Sequence, residues 1–342
     1  MANKRRWSAA LCVVVLMALS PGLLGAASGP GVWTKHAENP VFQPGASGAW
    51  DGANVYDPAV LYDGEIYRMW YTGNPPGASV DRIGYATSAD GLSWTRGSVA
   101  PVLPAGAWST WDSGRVWGAD VLYDDGDGLY KMWYTGQAAS ARESIGYATS
   151  PDGIVWTRHA GNPVLESGAP GEWDAGTVQD PSVIKDGDLY KMWYDGWTAG
   201  VGGIGYATSP DGVTWTKYAG NPVMTGSPAP GWDYHVYASA VILDGGVYRM
   251  LYSGGDQARS TWETGYATST DGIHWTRRGR VVAQGPEHAW DCCEADYADL
   301  LRVGDTYKAW YSGYRTGYQI GLSTAPWQDL DRALYLPLAL RN

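Results

Sequence analysis

The dipeptide Trp-Asp occurs five times, at Trp50-Asp51, Trp111-Asp112, Trp173-Asp174, Trp232-Asp233 and Trp290-Asp291, at spacings of 61, 62, 59 and 58 residues. A fixed period of this length means one supersecondary unit repeated, and nothing else in the 342-residue chain constrains the fold as tightly. Each Trp-Asp opens the same series. A short apolar stretch such as Ala59-Val60-Leu61 ends in an Asp-Gly-type turn, and an alternating run follows, as in Tyr67-Arg68-Met69-Trp70-Tyr71. A third run reads Ile-Gly-Tyr-Ala-Thr-Ser at 83–88, 145–150 and 204–209, with a variant at 265–269. It closes in a second Asp-Gly turn, and a fourth run begins at Trp94, Trp156, Trp215 or Trp275. Four short aromatic and β-branched runs separated by tight turns predict a four-stranded antiparallel meander.

Meanders at a fixed period predict β-propeller blades, so the expectation is an all-β, five-bladed β-propeller. The fifth repeat lacks a fourth run. A copy of it stands at the other end of the chain, where Val32-Trp33-Thr34-Lys35-His36-Ala37-Glu38-Asn39-Pro40-Val41 matches 155–164 almost residue for residue. The N-terminal strand is therefore expected to pair with the last blade and close the ring, leaving no open seam. The expected organisation is a signal peptide at 1–27, one propeller domain at 28–327 and a C-terminal tail at 328–342. The signal reading rests on Lys4, Arg5 and Arg6 ahead of the apolar run 9–19 and the small residues near Ala26. Cleavage would take the net charge from −11 to −14 and give a secreted, extracellular protein with no membrane attachment. So acidic a chain lacks the basic footprint of a nucleic-acid binder. A monomer is the default expectation.

The repeat also separates scaffold from site. Residues present in every copy, such as the Trp-Asp pairs and Asp-Gly turns, serve the blade. Polar residues at which the copies disagree are the candidates for function, on the face that carries the variable loops and the starts of the innermost strands. Asp57-Pro58 and Asp180-Pro181 occupy equivalent places, Gly118 stands there in the second copy with Asp120 two residues on, and the fourth copy has Ala238-Ser239. The fifth offers Glu294, Asp296 and Asp299. Carboxylates converging on one channel push each other's pKa values apart, which suits general acid/base chemistry or a hard cation held by oxygens. The same acids could instead cap turns or pair with Arg115 and Arg82. Tyr56, Trp117, Trp197, Tyr237, Trp262 and Tyr318 supply aromatic faces beside polar tips, as sugar binding needs. Asn54, Arg115, His235 and Asp296 complete the expected carbohydrate-binding set. No cofactor is required and no metal ligand set is assigned, although a structural calcium ion in the channel is compatible with the acids.

The five repeats, the Asp-Pro openings of the first and third inner strands, and the Ile-Gly-Tyr-Ala-Thr-Ser-x-Asp-Gly-x-x-Trp runs resemble the five-bladed glycoside hydrolases, a superfamily that includes arabinanases, xylosidases, invertases and levansucrases. The resemblance covers essentially the whole chain after residue 27. It implies a carboxylate base or nucleophile at Asp57, a second inner-strand Asp, and a Glu general acid on the second, third or fourth blade. The chain departs from that pattern. Asp180 stands where an arabinanase-like pattern has Glu, and Glu294 is the one Glu at an inner-strand start. Either an Asp acts as acid, or the machinery is rearranged, or hydrolysis is lost. The expected function is a secreted glycoside hydrolase with Asp57 as base or nucleophile, Asp180 as partner acid or orienting carboxylate, and Asp120 or Glu294 as pKa modulator or substitute acid. The alternative is a non-catalytic carbohydrate-binding propeller. Cys292-Cys293 fit neither reading. Their adjacency raises the expectation of a strained vicinal disulfide forming a rigid platform beside Glu294, with two reduced, buried thiols as the alternative.

Overall fold

The computed structural model describes residues 33–327, save 79, 140, 199 and 259. The expected signal peptide, with Cys12, and the expected tail lie outside the described residues. A two-residue strand β1 (Thr34–Lys35) precedes four meanders. The first comprises β2 (Asn54–Tyr62), β3 (Tyr67–Asn74), β4 (Arg82–Ser88) and β5 (Thr95–Arg96); the second comprises β6 (Arg115–Asp124), β7 (Leu129–Gln137), β8 (Ser144–Ser150) and β9 (Thr157–Arg158). The third has β10 (Thr177–Asp186), β11 (Leu189–Thr198), β12 (Val201–Ser209) and β13 (Thr216–Lys217), with β14 (Met224–Thr225) also paired to β12. The fourth has β15 (His235–Asp244), β16 (Val247–Gly255), β17 (Trp262–Ser269) and β18 (Thr276–Val282). A fifth unit of β19 (Glu294–Val303), β20 (Thr306–Tyr314) and β21 (Tyr318–Pro326) is completed by β1, antiparallel to β21 with Thr34 opposite Thr324. The strands within each unit pair antiparallel; the first two sheets are four-stranded as expected, the third gains β14, and the fourth and fifth units are joined into one eight-stranded sheet by a short parallel pairing of β17 with β19, Trp262 opposite Glu294. The first strands pack side by side in chain order, and β19 also packs against β2.

The Trp-Asp acids are structural. Asp51 accepts from Tyr71 Oη (2.9 Å) and Arg96 Nε (2.7 Å), fastening the start of each unit to its second and fourth strands. Asp112, Asp174 and Asp233 repeat the pattern with Arg158, Lys217 and Arg277. In the fifth unit the cation is Lys35 of β1, 2.5 Å from Asp291. Asn39 likewise trades two hydrogen bonds with the backbone of Leu322, as Asn162 does with Tyr147 and Asn221 with Tyr206.

Neighbouring units are joined by indoles. Trp70, Trp133, Trp193 and Trp310 are fully buried, and each donates Nε1–H to the carbonyl of an Asp-Gly turn in an adjacent unit, at Gly153, Gly212, Gly272 and Gly91. The fourth unit has Leu251 at this place. The unit that follows it has no such turn, because its outer strand comes from the N-terminus, so an indole there would lack its acceptor.

One expectation is corrected. The fourth runs do not form strands from their tryptophans: β5, β9 and β13 are two residues long and start after Trp94, Trp156 and Trp215. Those indoles turn inward and bond their own turn glycines. Short outer strands leave little unpaired backbone at the rim.

Candidate functional site

Each first strand carries an irregularity at the same place, where its register with the second strand shifts across two residues. The residue there is left-handed in every unit: Asp57 (φ 46°), Gly118 (53°), Asp180 (48°), Ala238 (45°) and Tyr297 (45°). Non-glycine residues in this region carry strain of about 1–3 kcal/mol each, which persists only when surroundings hold them. Those surroundings are one hydrogen bond per unit. The backbone N–H of Asp57 donates to Ser312 Oγ, that of Gly118 to Thr72, that of Asp180 to Thr135, that of Ala238 to Asp195 and that of Tyr297 to Ser253. A bulge re-aims the residue it carries. Here it turns five side-chain positions toward a common central cavity, lined by 57–59, 118–120, 180–182, 238–240 and 297–299. The cavity has about 430 Å³ of empty space and opens to solvent.

At the level of the bulges lie Asp57, Asp180, Asp195 and Asp296, all buried. Asp57 Oδ2 accepts from Thr72 Oγ1 at 3.3 Å and its Oδ1 is unpartnered within the protein. Neither oxygen of Asp180 has a hydrogen-bond partner. Both oxygens of Asp195 accept from Ala238 N–H at 2.8 Å, and one oxygen of Asp296 accepts from Tyr237 Oη. Burial raises all four carboxyl groups above the usual range. For Asp57 the charges of Asp180, Asp296 and Asp81 add to burial, and Thr72 opposes them. Burial takes Asp180 to about 7, with Glu143 raising it further while Asp195, Arg115 and Trp117 pull it down. Burial and then Asp180 raise Asp195, and burial and then Glu294 raise Asp296. The contact between the Asp180 and Asp195 side chains lowers the pKa of Asp180 and raises that of Asp195.

Asp57 and Asp180 thus line the same cavity, and Gly118 makes room for Asp180. A Cβ on Gly118 would lie 2.3 Å from Asp180 Oδ1, so the second unit has no side chain where its neighbour's carboxylate sits. In the fifth unit the position equivalent to Asp57 is Tyr297, and none of Glu294, Asp296 or Asp299 occupies it.

Asp120 stands on a lower tier with Asp299. Asp120 accepts from Val121 and Val183 N–H, and Asp299 from Leu300 and Val60 N–H, so each joins its strand to the next unit. Both line the cavity. Burial, aided by Asp299, takes Asp120 to about 8, and burial takes Asp299 to about 6.

The remaining candidates ring the mouth. Glu294 is half-buried, accepts from Tyr318 Oη and is raised by burial. Arg115 lies 4.3 Å over the Trp117 ring and reaches Gln137 (2.8 Å), Glu143 (3.4 Å) and Asp81 (3.6 Å). Tyr56 donates to Asp81 at 2.7 Å and packs on Tyr318. Asn54 bonds Asn74 and the backbone of Tyr318. Trp197 stacks on His235 with centroids 5.9 Å apart, His235 meets Trp262, and Trp262 stands edge-on to Tyr237, giving an aromatic wall on the third and fourth units. Among the described residues no group of three or more His, Cys, Asp or Glu is arranged to hold a metal ion.

Asp195, Asp81 and Glu143 were missed in the sequence. The signal for Asp195 is present: the second strands read Tyr-Thr-Gly, Tyr-Thr-Gly, Tyr-Asp-Gly, Tyr-Ser-Gly and Tyr-Ser-Gly from Tyr71, Tyr134, Tyr194, Tyr252 and Tyr311. A carboxylate replaces a hydroxyl in one copy of five.

Comparison with known proteins agrees with this architecture. Residues 53–196 match the family described as glycosyl hydrolases family 32 N-terminal domain. An uncharacterised protein of Mycobacterium tuberculosis is 29% identical over 231 residues, covering 65% of this chain and 74% of that protein. A 1,2-beta-oligomannan phosphorylase of Thermoanaerobacter is 29% identical over 178 residues, 46% of this chain and 60% of that enzyme. Among solved structures, a glycosyl hydrolase from Bacteroides ovatus superposes with a TM-score of 0.68 at 19% identity, covering 86% of this chain and 94% of that one. A structure of the GH130 family of mannoside phosphorylases, described as containing glycoside hydrolases that target beta-1,2 mannosidic linkages in Candida mannan, gives 0.68 at 18% identity over 88% and 95%. In fold and in these matches the chain is similar to the propeller glycoside hydrolases, and the resemblance drawn from the repeats holds. Within that class, the chain's likeness is to carbohydrate-active hydrolases and phosphorylases.

Proposed function

We propose that this chain is an exported, monomeric glycoside hydrolase built as a five-bladed propeller whose ring is closed by β1, cleaving neutral glycans at the mouth of its channel. The observation that carries the reading is Asp180. It is a buried carboxyl group with no hydrogen-bond partner on either oxygen, held at about 7 beside Asp57. A general acid must carry its proton at working pH and still release it, and a pKa near neutrality meets both demands. Asp180 with Asp195 keeps a shared proton available to the leaving oxygen, and Asp57 serves as base or nucleophile. Asp296, oriented by Tyr237, and Glu294, oriented by Tyr318, receive sugar hydroxyls. The aromatic wall of Trp197, His235 and Trp262 supplies a stacking face.

Hydrolysis is favoured over phosphorolysis because Arg115, the cation over Trp117, is already engaged by Gln137, Glu143 and Asp81. The two mannoside-active relatives make β-1,2-linked oligomannosides the first substrates to try.

The test incubates purified protein with β-1,2-oligomannosides, arabinan, fructan and xylan, with and without inorganic phosphate, beside Asp57→Asn and Asp180→Asn variants. Asn adopts left-handed backbone readily, so both variants keep the bulge. Phosphate-independent sugar release by the parent, absent in both variants, supports the proposal. Phosphate-dependent release moves the reading to a phosphorylase. Binding without release favours a carbohydrate-binding propeller.

A further inference from the structure

We propose that Cys292 and Cys293 form a dithiol modification site at the rim of the candidate site, closing to an intrachain disulfide with a disulfide oxidant and taking trivalent arsenicals when reduced.

The repeat shows that the scaffold does not require these thiols. Between the Trp-Asp acid and the inner strand, the first three units place Gly52-Ala53, Ser113-Gly114 and Ala175-Gly176, all small. The backbone of this step is the same in each. The first N–H closes a turn on the carbonyl three residues back: Gly52 to Ala49, Ser113 to Thr110, Ala175 to Glu172 and Cys292 to Ala289. The second N–H reaches the end of the second strand: Ala53 to Asn74, Gly114 to Gln137, Gly176 to Trp197 and Cys293 to Tyr314. Glycine, alanine and serine satisfy this path, so the paired sulfurs are an addition to the blade.

The sulfurs converge. Cys292 Sγ and Cys293 Sγ lie 2.9 Å apart, Cys293 is exposed and Cys292 partly so. Cys293 is fixed at its N–H by Tyr314 and at its carbonyl by Gln284, which leaves its side chain as the movable part. Its thiol pKa is raised, first by Cys292, then by slight burial and by the charge of Glu294, so the reaction quickens as pH rises.

The exchange balances. One thiolate attacks the oxidant R–S–S–R, forming a mixed disulfide and releasing one RS⁻, and the neighbouring thiolate then attacks the mixed disulfide and releases the second RS⁻. The two cysteine protons end on the two released thiols, and the two electrons reduce the oxidant. Adjacent Cα atoms stand about 3.8 Å apart against the 4.4–6.8 Å usual for disulfides, so the closed ring is strained and readily reopened.

The test uses the full chain with oxidised glutathione, followed by alkylation in denaturant and mass spectrometry of the tryptic peptide 281–302, which contains both cysteines and no other. The expected product is this peptide lacking two hydrogens and carrying no alkyl group, with alkylation at both sites restored by a mild reductant. Reduced protein should bind phenylarsine oxide at one equivalent, and Cys293→Ser should abolish both behaviours. A doubly alkylated peptide at every oxidant concentration, a stable glutathione adduct, or a disulfide between two chains overturns the proposal. None of these readouts uses glycan cleavage, so the outcome is independent of the hydrolase reading.

Discussion

Replacing Gly118 by alanine isolates how the channel accommodates its carboxylates. Two effects act on this substitution. The first is backbone: φ of 53° in a residue with a Cβ costs about 1–2 kcal/mol. The second is collision, because the new Cβ would stand 2.3 Å from Asp180 Oδ1, about 1 Å inside ordinary contact. The glycine backbone cannot retreat, since its N–H is tied to Thr72 Oγ1 at 3.1 Å. Asp180 must therefore move, and crowding of this kind adds about 1–3 kcal/mol. The control is Gly187→Ala, with φ of 62° and nothing within 4 Å of the added Cβ, which carries the backbone effect alone. Thermal unfolding should lower the melting temperature of Gly118→Ala by several degrees beyond that of Gly187→Ala, at roughly 2 °C per kcal/mol for a domain of this size. A displacement of about 1 Å at a reacting group can cost about 100-fold in rate, so sugar release should fall far more in the channel variant than in the turn variant. Equal melting temperatures and equal activity for the two would refute the steric account of why the second unit carries glycine.

Stability should depend on pH through the buried acids. Asp299, Asp180 and Asp120 sit at about 6, 7 and 8 in the folded protein, above the value of about 3.9 expected when unfolded. Their protonated forms favour folding, so this contribution is complete below about pH 4 and is lost as pH rises through these values. The melting temperature should fall between pH 5 and pH 8, and Asp120→Asn should flatten the upper part of that fall; a flat parent profile argues against the raised values. Asp195→Ser should keep the bond to Ala238 N–H, as Ser253 does for Tyr297, and stay within about 1 kcal/mol of the parent, whereas Asp195→Leu loses it and should cost about 1–3 kcal/mol. Because Asp195 pulls Asp180 down, the serine variant should move the alkaline limb of the pH–rate profile upward, and an unmoved limb removes Asp195 from the proton-sharing role. Lys35→Ala should cost about 1–3 kcal/mol in chemical denaturation by leaving buried Asp291 with Tyr311 alone; no change would mean that β1 contributes little to the last unit.

The repeat made the architecture legible because each copy has to solve the same packing problem with the same residues. Trp-Asp, Asp-Gly and the Tyr-x-Met-Trp-Tyr runs recur since the buried acid, the tight turn and the inter-unit indole each have one geometric solution. The extent of β5, β9 and β13 was not legible, because whether Trp94 lies along a strand or folds back onto Gly91 depends on the neighbouring unit. Asp57 and Asp180 were visible as polar exceptions on the first strand. Asp195 was equally exceptional, but on the second strand, where alternation alone gives no reason to expect a side chain to reach the next unit. The bulge supplies that reason by turning a backbone N–H toward it. Glycine at 118 read as an absence, and only the three-dimensional position of Asp180 shows that it is a space kept open.

The pairing of β1 with β21 has a consequence for the order of assembly. Asn39 and Leu322, which bond each other twice, are 283 residues apart, so a strand made before the four meanders is the partner of one made after them. Four units can mature as their residues appear, while Lys35 waits for Asp291 and Tyr311. Loop-closure entropy grows only logarithmically with separation, so the long wait adds little thermodynamic cost. Its weight is kinetic: the terminal unit is the last to acquire its outer strand, and a chain broken near either end loses the same latch.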